Sequence, residues 1–215
     1  MSRTCQPSMR NGFTLLEILV SIAIMGVVAS LGVRSFALLT SSWADARAMA
    51  ELGDTVDDAF ELIALDLGDV LSAELSGVSI TGIDRMVETD AFNQAGDADD
   101  RLIIPTQGLS AALSLQRVRS VQYQVYRDDE FNKLVRTVGP LGSDNPKNGR
   151  SEIISRANVV RFDVSYATGD SANPWVSSWD GETLPKAVRV ALTLSDPNNG
   201  FRQVSRKKVY PVHVQ

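Results

Sequence analysis

Three residues stand out by type and spacing: Gly12, Phe13 and Glu17, in the stretch Gly12-Phe13-Thr14-Leu15-Leu16-Glu17. From Phe13 to Val33 the only ionisable side chain is Glu17. A carboxylate inside a lipid-facing helix costs several kcal/mol on insertion scales, so an intramembrane acid marks function by default. An opposite charge in a low-dielectric setting offsets that cost only where a partner is present. The alternative is that Glu17, near one end of the run, reaches the interface and does nothing more. Gly12 lacks a Cβ, which lets catalytic groups come close to its carbonyl.

Other chemistry has little material. The only cysteine is Cys5, and the only histidine is His213 beside the C-terminus. A chain cut after Gly12 would carry no cysteine, which excludes a disulfide within it and a thiolate metal site. Asp97, Asp99 and Asp100 have hard-cation chemistry, but the twelve-residue calcium-loop spacing is absent and a solvated loop fits them as well. No glycine-rich phosphate loop, nucleophile elbow or HExxH occurs, and no pair of acids is isolated for acid–base work. These residues predict no cofactor, no metal and no enzyme. A net charge of −5 gives no broad basic surface, so nucleic acid is not an expected partner.

The elements that must carry these residues begin with the apolar run. Phe13 to Val33 is twenty-one residues, and at ~1.5 Å per residue a helix of that length spans roughly 31 Å, the hydrocarbon thickness of a bilayer. Arg3 and Arg10 precede it. From Asp45 to Asp69 there are eight acids against Arg47 alone. The bias of basic residues puts the N-terminus in the cytoplasm and the bulk of the chain outside. Arg34 is a single opposing residue that can snorkel to the far interface. A cleaved secretory signal is the competing reading, with Val28-Ala29-Ser30 as its cut site, but the run is long for such a signal.

Beyond Ser42 the pattern becomes periodic. Met49, Leu52, Val56, Phe60, Ile63, Leu67 and Leu71 recur every three or four residues, giving one apolar stripe on an otherwise acidic helix. A coiled coil is the alternative, over a short repeat. After Ser76 short strands follow. Leu102-Ile103-Ile104 ends before Pro105, and Val118–Tyr126, with Val121, Tyr123 and Val125 on one face, turns at Asp128 into Lys133–Val138. Ile153-Ile154 and Val159–Tyr166 begin another pair. Ala187–Leu194 turns through Asp196–Gly200 into a last strand, Phe201–Val214. The gaps are too short for helical crossovers, so pairing is antiparallel and the class is α+β, a long helix on an antiparallel sheet.

The basic leader, Gly12, Phe13, the apolar run and Glu17 resemble the prepilin signature of type IV pilins and type II secretion pseudopilins. The resemblance implies a peptidase that cuts Gly12–Phe13 and methylates the Phe13 amine. It also implies pairing of Glu17, fifth in the cut chain, with the N-terminal amine of a neighbouring subunit. The organisation it implies is a leader at 1–12, a membrane helix at 13–34, an amphipathic helix at 35–75 and a β-rich periplasmic domain at 76–215. A second resemblance lies in Phe162-x-x-x-Tyr166, then Trp175 and Trp179, then Leu184-Pro185-Lys186-Ala187-Val188-Arg189-Val190. These look like the J-type minor pseudopilin, although core packing accounts for the tryptophans too. Pro185, which lacks a donor, fits the start of an edge strand.

A J-type subunit would sit in the tip complex of the pseudopilus, which starts assembly of the filament that exports folded proteins. Its partners would be I-type and K-type minor pseudopilins, the H-type and major pseudopilins, the prepilin peptidase and the inner-membrane assembly platform. The alternative is a W-like minor pilin of a type IV pilus, acting in adhesion, motility or DNA uptake.

Overall fold

A computed structural model describes residues 14–70, 79–84, 100–108, 117–127, 131–140, 149–155, 157–170, 172, 174–180 and 183–213. One helix, α1, runs from Leu15 to Gly68. Thr14 caps it: its hydroxyl and carbonyl both accept from the Glu17 amide, at 3.3 and 3.0 Å. Thr14-x-x-Glu17 is the spacing of a capping box, with the acid also favoured by the positive end of the helix dipole. The chain divides into two units, Met1–Arg47 and Ala48–Gln215.

In the first unit every described residue of α1 is exposed. In the second unit the sequence stripe becomes a packing face. Leu52, Val56, Ala59, Phe60, Ile63 and Leu67 are buried, whereas Met49 lies at its rim. Leu71, expected as the last member, lies outside the described residues.

Two antiparallel sheets complete the second unit, and the α+β class holds. The first contains β1 (Thr81–Ile83), β2 (Arg101–Gly108), β3 (Arg117–Tyr126), β4 (Lys133–Pro140) and β5 (Arg150–Ile153), in that spatial order. The second contains β6 (Asn158–Ala167), β7 (Trp175–Val176), β8 (Ala187–Asp196) and β9 (Asn199–Pro211), in the order β7-β6-β8-β9. Val121 and Tyr123 do share a buried face, joined by Leu102 and Ile104 from β2. Phe162, Val164, Val188, Val190, Leu192 and Leu194 supply the second sheet's part of the same core.

Three expectations need correction. A single sheet was expected, but the strands form two. The pairing of Ile153-Ile154 with Val159–Tyr166 is not made: β5 pairs with β4, and β6 pairs with β7 and β8. The link between them changes sheets, held by the Ile154 amide on the Leu134 carbonyl (2.9 Å) and the Val159 amide on the Asn132 carbonyl (2.9 Å). The strand at Leu102 does not stop at Pro105 but runs to Gly108, with Pro105 opposite Ser120. Proline is tolerated there because β1 pairs only with Arg101 to Ile103, and the next contact on that side is a single bridge of Val70 to Thr106.

Polar contacts fix the helix on the sheets. Arg136 on β4 donates from Nε (2.8 Å) and Nη2 (2.7 Å) to the two carboxylate oxygens of Asp66, and the Tyr123 hydroxyl donates to Asp66 as well. Burial, then the Asp66 charge, holds the Tyr123 hydroxyl protonated well above the ordinary phenol range. The hydrogen bond to Asp66 makes the Arg136 guanidinium still harder to deprotonate. On the second sheet Arg206 meets both Asp57 oxygens (2.8 and 2.6 Å), and Tyr210 donates to the Phe60 carbonyl (3.0 Å).

Asp66→Ala leaves the half-buried Arg136 and the buried Tyr123 hydroxyl unpaired, and should cost about 3 kcal/mol in urea unfolding. Asp66→Leu with Tyr123→Phe and Arg136→Met should recover most of that loss. A second expectation concerns Asp196, whose carboxylate accepts from the Asn198 amide (2.8 Å) and from Arg202 (3.0 Å). The Asn198 hydrogen bond first, then Arg202, holds it below the ordinary carboxylate range. Its contribution is therefore complete above the unfolded value of about 3.9 and is lost as pH falls through the lower folded value. Amide exchange at Asn198 should accelerate in that acid window, and Asp196→Asn should abolish the pH dependence.

Candidate functional site

The N-terminal site residues divide at the first described position. Gly12 and Phe13 lie outside the described residues, while Glu17 occupies the first turn of α1 and is exposed. Around it the apolar side chains are bare: Leu15, Leu16, Ile22, Met25, Val33, Phe36 and Leu38 are all two-thirds exposed or more. A continuous apolar surface of this kind is tolerated only against lipid or other helices. Three of its hydroxyls are satisfied within the helix. Ser21 donates to the Glu17 carbonyl (2.7 Å), Ser30 to Val27 (2.8 Å), and Thr40 to Phe36 (3.1 Å) and Ala37 (2.9 Å). Such internal bonds suit a low-dielectric surrounding. Among the described residues α1 is the one helix long and apolar enough to cross a membrane.

The second set, Trp175, Trp179, Leu184 and Pro185, belongs to the second unit and is brought together. Gly169, at φ 82°, turns the chain out of β6 towards β7. Trp175 lies opposite Ala167, and the Arg189 guanidinium stands 4.4 Å above its ring. Trp179 exchanges two backbone hydrogen bonds with Gly82 beside the first sheet (2.7 and 3.0 Å). Its indole N–H donates to the Thr183 carbonyl (2.9 Å), which also accepts from Ser79 (3.1 Å). The Trp179 and Tyr166 rings are 6.3 Å apart. Leu184 packs on the core and Pro185 is buried.

The edge-strand reading of Pro185 is overturned. β8, which follows it, lies between β6 and β9. Pro185 is tolerated because it precedes the strand, and the ladder begins with the Lys186 amide on the Ala167 carbonyl (3.1 Å). The segment is thus a clamp between the two sheets.

Sequence reasoning passed over two members of this clamp. At Gly82 a Cβ would overlap the ring and hydroxyl of Tyr166, so only glycine permits the backbone approach. Tyr166 was noticed for spacing alone. It is fully buried, and its hydroxyl has no hydrogen-bond partner. Burial, then the charge of Asp100, keeps that hydroxyl protonated far above the ordinary range.

Asp100 has a structural use. Its carboxylate accepts from the Val164 amide (2.7 Å) and its own amide donates to the Phe162 carbonyl (3.1 Å). Asp97 and Asp99 lie outside the described residues. Among the described residues, no three His, Cys, Asp or Glu side chains are grouped as metal ligands.

Comparison with known proteins bears on the N-terminal set. Residues 7–33 match the prokaryotic N-terminal methylation motif. Over 59 residues the chain is 41% identical to the "Pilin-like protein PilA3" of Thermus thermophilus, a stretch covering 27% of this chain and 25% of that protein. Both findings support a place among type IV pilin-like proteins.

The clamp makes opposite predictions for two small changes. Gly82→Ala should destabilise the soluble unit by about 1–3 kcal/mol through overpacking. Tyr166→Phe, which deletes a buried hydroxyl without a partner, should be neutral or stabilising in the same urea titration.

Proposed function

We propose that this chain is a minor pseudopilin of the type II secretion system, of the J-type, working in the tip complex of the pseudopilus. The carrying observation is the methylation motif at residues 7–33, leading into a helix whose apolar side chains are exposed. In this reading the leader is removed between Gly12 and Phe13 and the Phe13 amine is methylated. The apolar part of α1 then holds the subunit in the inner membrane, N-terminus in the cytoplasm and β-rich domain in the periplasm, until it joins neighbouring helices. The mechanism is assembly rather than catalysis. I-type and K-type subunits would meet the soluble domain, with H-type and major pseudopilins further along the filament.

The J-type assignment draws on the arrangement at Trp175, Trp179, Leu184 and Pro185. A W-like minor pilin of a type IV pilus is the second reading, favoured by the likeness to a pilin-like protein. Capture of a purified I-type or K-type subunit by this chain would support the first reading, and failure with both would favour the second.

Glu17 carries two roles that one substitution separates. As the third residue of the capping-box pattern it suits the helix start, where glutamine serves nearly as well. As the partner of a neighbour's amine it must be charged. Glu17→Gln should therefore leave the protein membrane-bound and cut to a methylated Phe13 terminus, readable by mass spectrometry, while removing it from sheared filaments. A mature terminus other than Phe13 would sink the pilin-like reading, and normal filament entry by Glu17→Gln would leave Glu17 only its cap.

A further inference from the structure

The tip of the β8–β9 hairpin carries an asparagine followed by a glycine, Asn199-Gly200. The ladder registers Asp196 with Asn199 but Ser195 with Gln203, so Gly200, Phe201 and Arg202 bulge out of it. Side chains hold the bulge in place. The Phe201 amide donates to the Asn199 side-chain oxygen (3.2 Å), Gln203 donates from Nε2 to the Gly200 carbonyl (3.0 Å), and Arg202 pairs with Asp196 (3.0 Å). Gly200 and Phe201 are exposed, so water reaches the tip.

An asparagine whose side chain accepts from the amide two residues on is folded back over the peptide between them. At Asn199 that bond keeps Cγ over the Gly200 peptide and draws electron density from it. Nothing crowds the approach, because a Cβ at Gly200 would meet no atom within 4 Å. Among the described residues the Asn199 Nδ2 has no hydrogen bond to hold it. Asn132 and Asn158 lack this combination. The Nδ2 of each donates, to the Val159 carbonyl (3.2 Å) and the Ser195 hydroxyl (3.0 Å), and the residues that follow them are Lys133 and Val159. The pair Asn148-Gly149 also occurs, with Asn148 outside the described residues.

We propose that Asn199 is a site of spontaneous covalent modification, cyclising onto the Gly200 nitrogen and opening with water to aspartate or isoaspartate. The Gly200 nitrogen gives up its proton and attacks Cγ of Asn199. A C–N bond forms, the Cγ–Nδ2 bond breaks, and Nδ2 leaves as ammonia carrying a proton in place of the one lost. Water then adds to either carbonyl of the succinimide ring, and nothing is oxidised or reduced. The chemistry needs no partner subunit. Aspartate adds a second carboxylate beside Asp196, whose oxygens already take the Asn198 amide and Arg202. Isoaspartate lengthens the main chain at the Asp196–Asn199 pair and moves the acceptor of the Phe201 amide into the backbone. The tip walls a cleft of about 390 Å³ with Leu52 and Thr55 of α1, so either product changes a surface where hairpin and helix meet.

The test incubates the full-length protein in nonionic detergent at neutral and at alkaline pH and follows the tryptic peptide Val190–Arg202 by mass spectrometry. The peptide should gain the mass of an amide-to-acid exchange at Asn199, faster at alkaline pH because the attacking nitrogen must lose its proton. Isoaspartate is read by enzymatic methylation of its free α-carboxylate, and amide exchange at Phe201 should accelerate in the converted protein. Gly200→Ala should slow conversion about tenfold by crowding the attacking nitrogen. The same change should leave urea unfolding unaltered, because the site is open and its backbone lies outside the left-handed region. A native chain that stays unconverted while the urea-unfolded chain converts would overturn the proposal. So would conversion confined to Asn198, or a Gly200→Ala chain that converts as fast as the wild type.

Discussion

Burial of one face of α1 is the constraint on which the soluble unit depends. The two sheets share no strand, so no backbone ladder runs through the whole core. Leu52, Val56, Phe60, Ile63 and Leu67 supply the apolar surface that both sheets need in order to exclude water, each such side chain contributing about 1.5–3 kcal/mol. Polar contacts then fix its rotation and height. Asp66 can meet Arg136 and Tyr123, and Asp57 can meet Arg206, only while the stripe faces inward. Hydrophobic burial thus brings the helix to the sheets, and the charged pairs select one register of it. The clamp at Gly82 and Trp179 closes the remaining gap between the sheets without a helix.

The sequence was most readable where a single physical requirement governed a long stretch. A bilayer demands consecutive apolar residues, so the first part of α1 could be read by length. A one-sided core demands a 3.6-residue period, so Leu52 to Leu67 could be read by spacing. Val121 and Tyr123 alternated cleanly with Ser120 and Gln122 because one face of β3 joins the apolar core while the other, also buried, is polar. Partnership between strands was less legible, since periodicity reports which face is buried and not which strand lies alongside. Ile153 and Val159 look like neighbours in any one-dimensional reading. The link between them is the place where the chain leaves one sheet for the other, anchored by backbone bonds to Leu134 and Asn132 that leave no compositional trace.

The candidate site shows the same division. Thr14-x-x-Glu17 is a plain helix-start signal, and the Glu17 amide on the Thr14 hydroxyl realises it. The tryptophans were legible as residues but not as a device. Their meaning depends on Gly82, some ninety positions earlier, whose missing side chain is filled by Tyr166. Asp100 likewise looked like a member of an acidic loop until its carboxylate was found on the Val164 amide inside the core. Each of these roles is a long-range contact made by a residue whose local sequence context points elsewhere.

Charge along α1 has a similar logic. Eight acids between Asp45 and Asp69 look uniform in the sequence, but the fold assigns them distinct positions. Asp66 is drawn into the core because Arg136 and Tyr123 satisfy both its oxygens. Asp57 reaches sideways to β9. Asp54, Asp58 and Glu61 remain outside, where mutual repulsion on one helix face is unfavourable by a few tenths of a kcal/mol per pair. That repulsion is lowered by salt and by any cation that approaches from outside the molecule. The same helix therefore uses its charge twice. Inward, it fixes the fold's register. Outward, it leaves a surface whose electrostatic cost falls on contact with a basic partner.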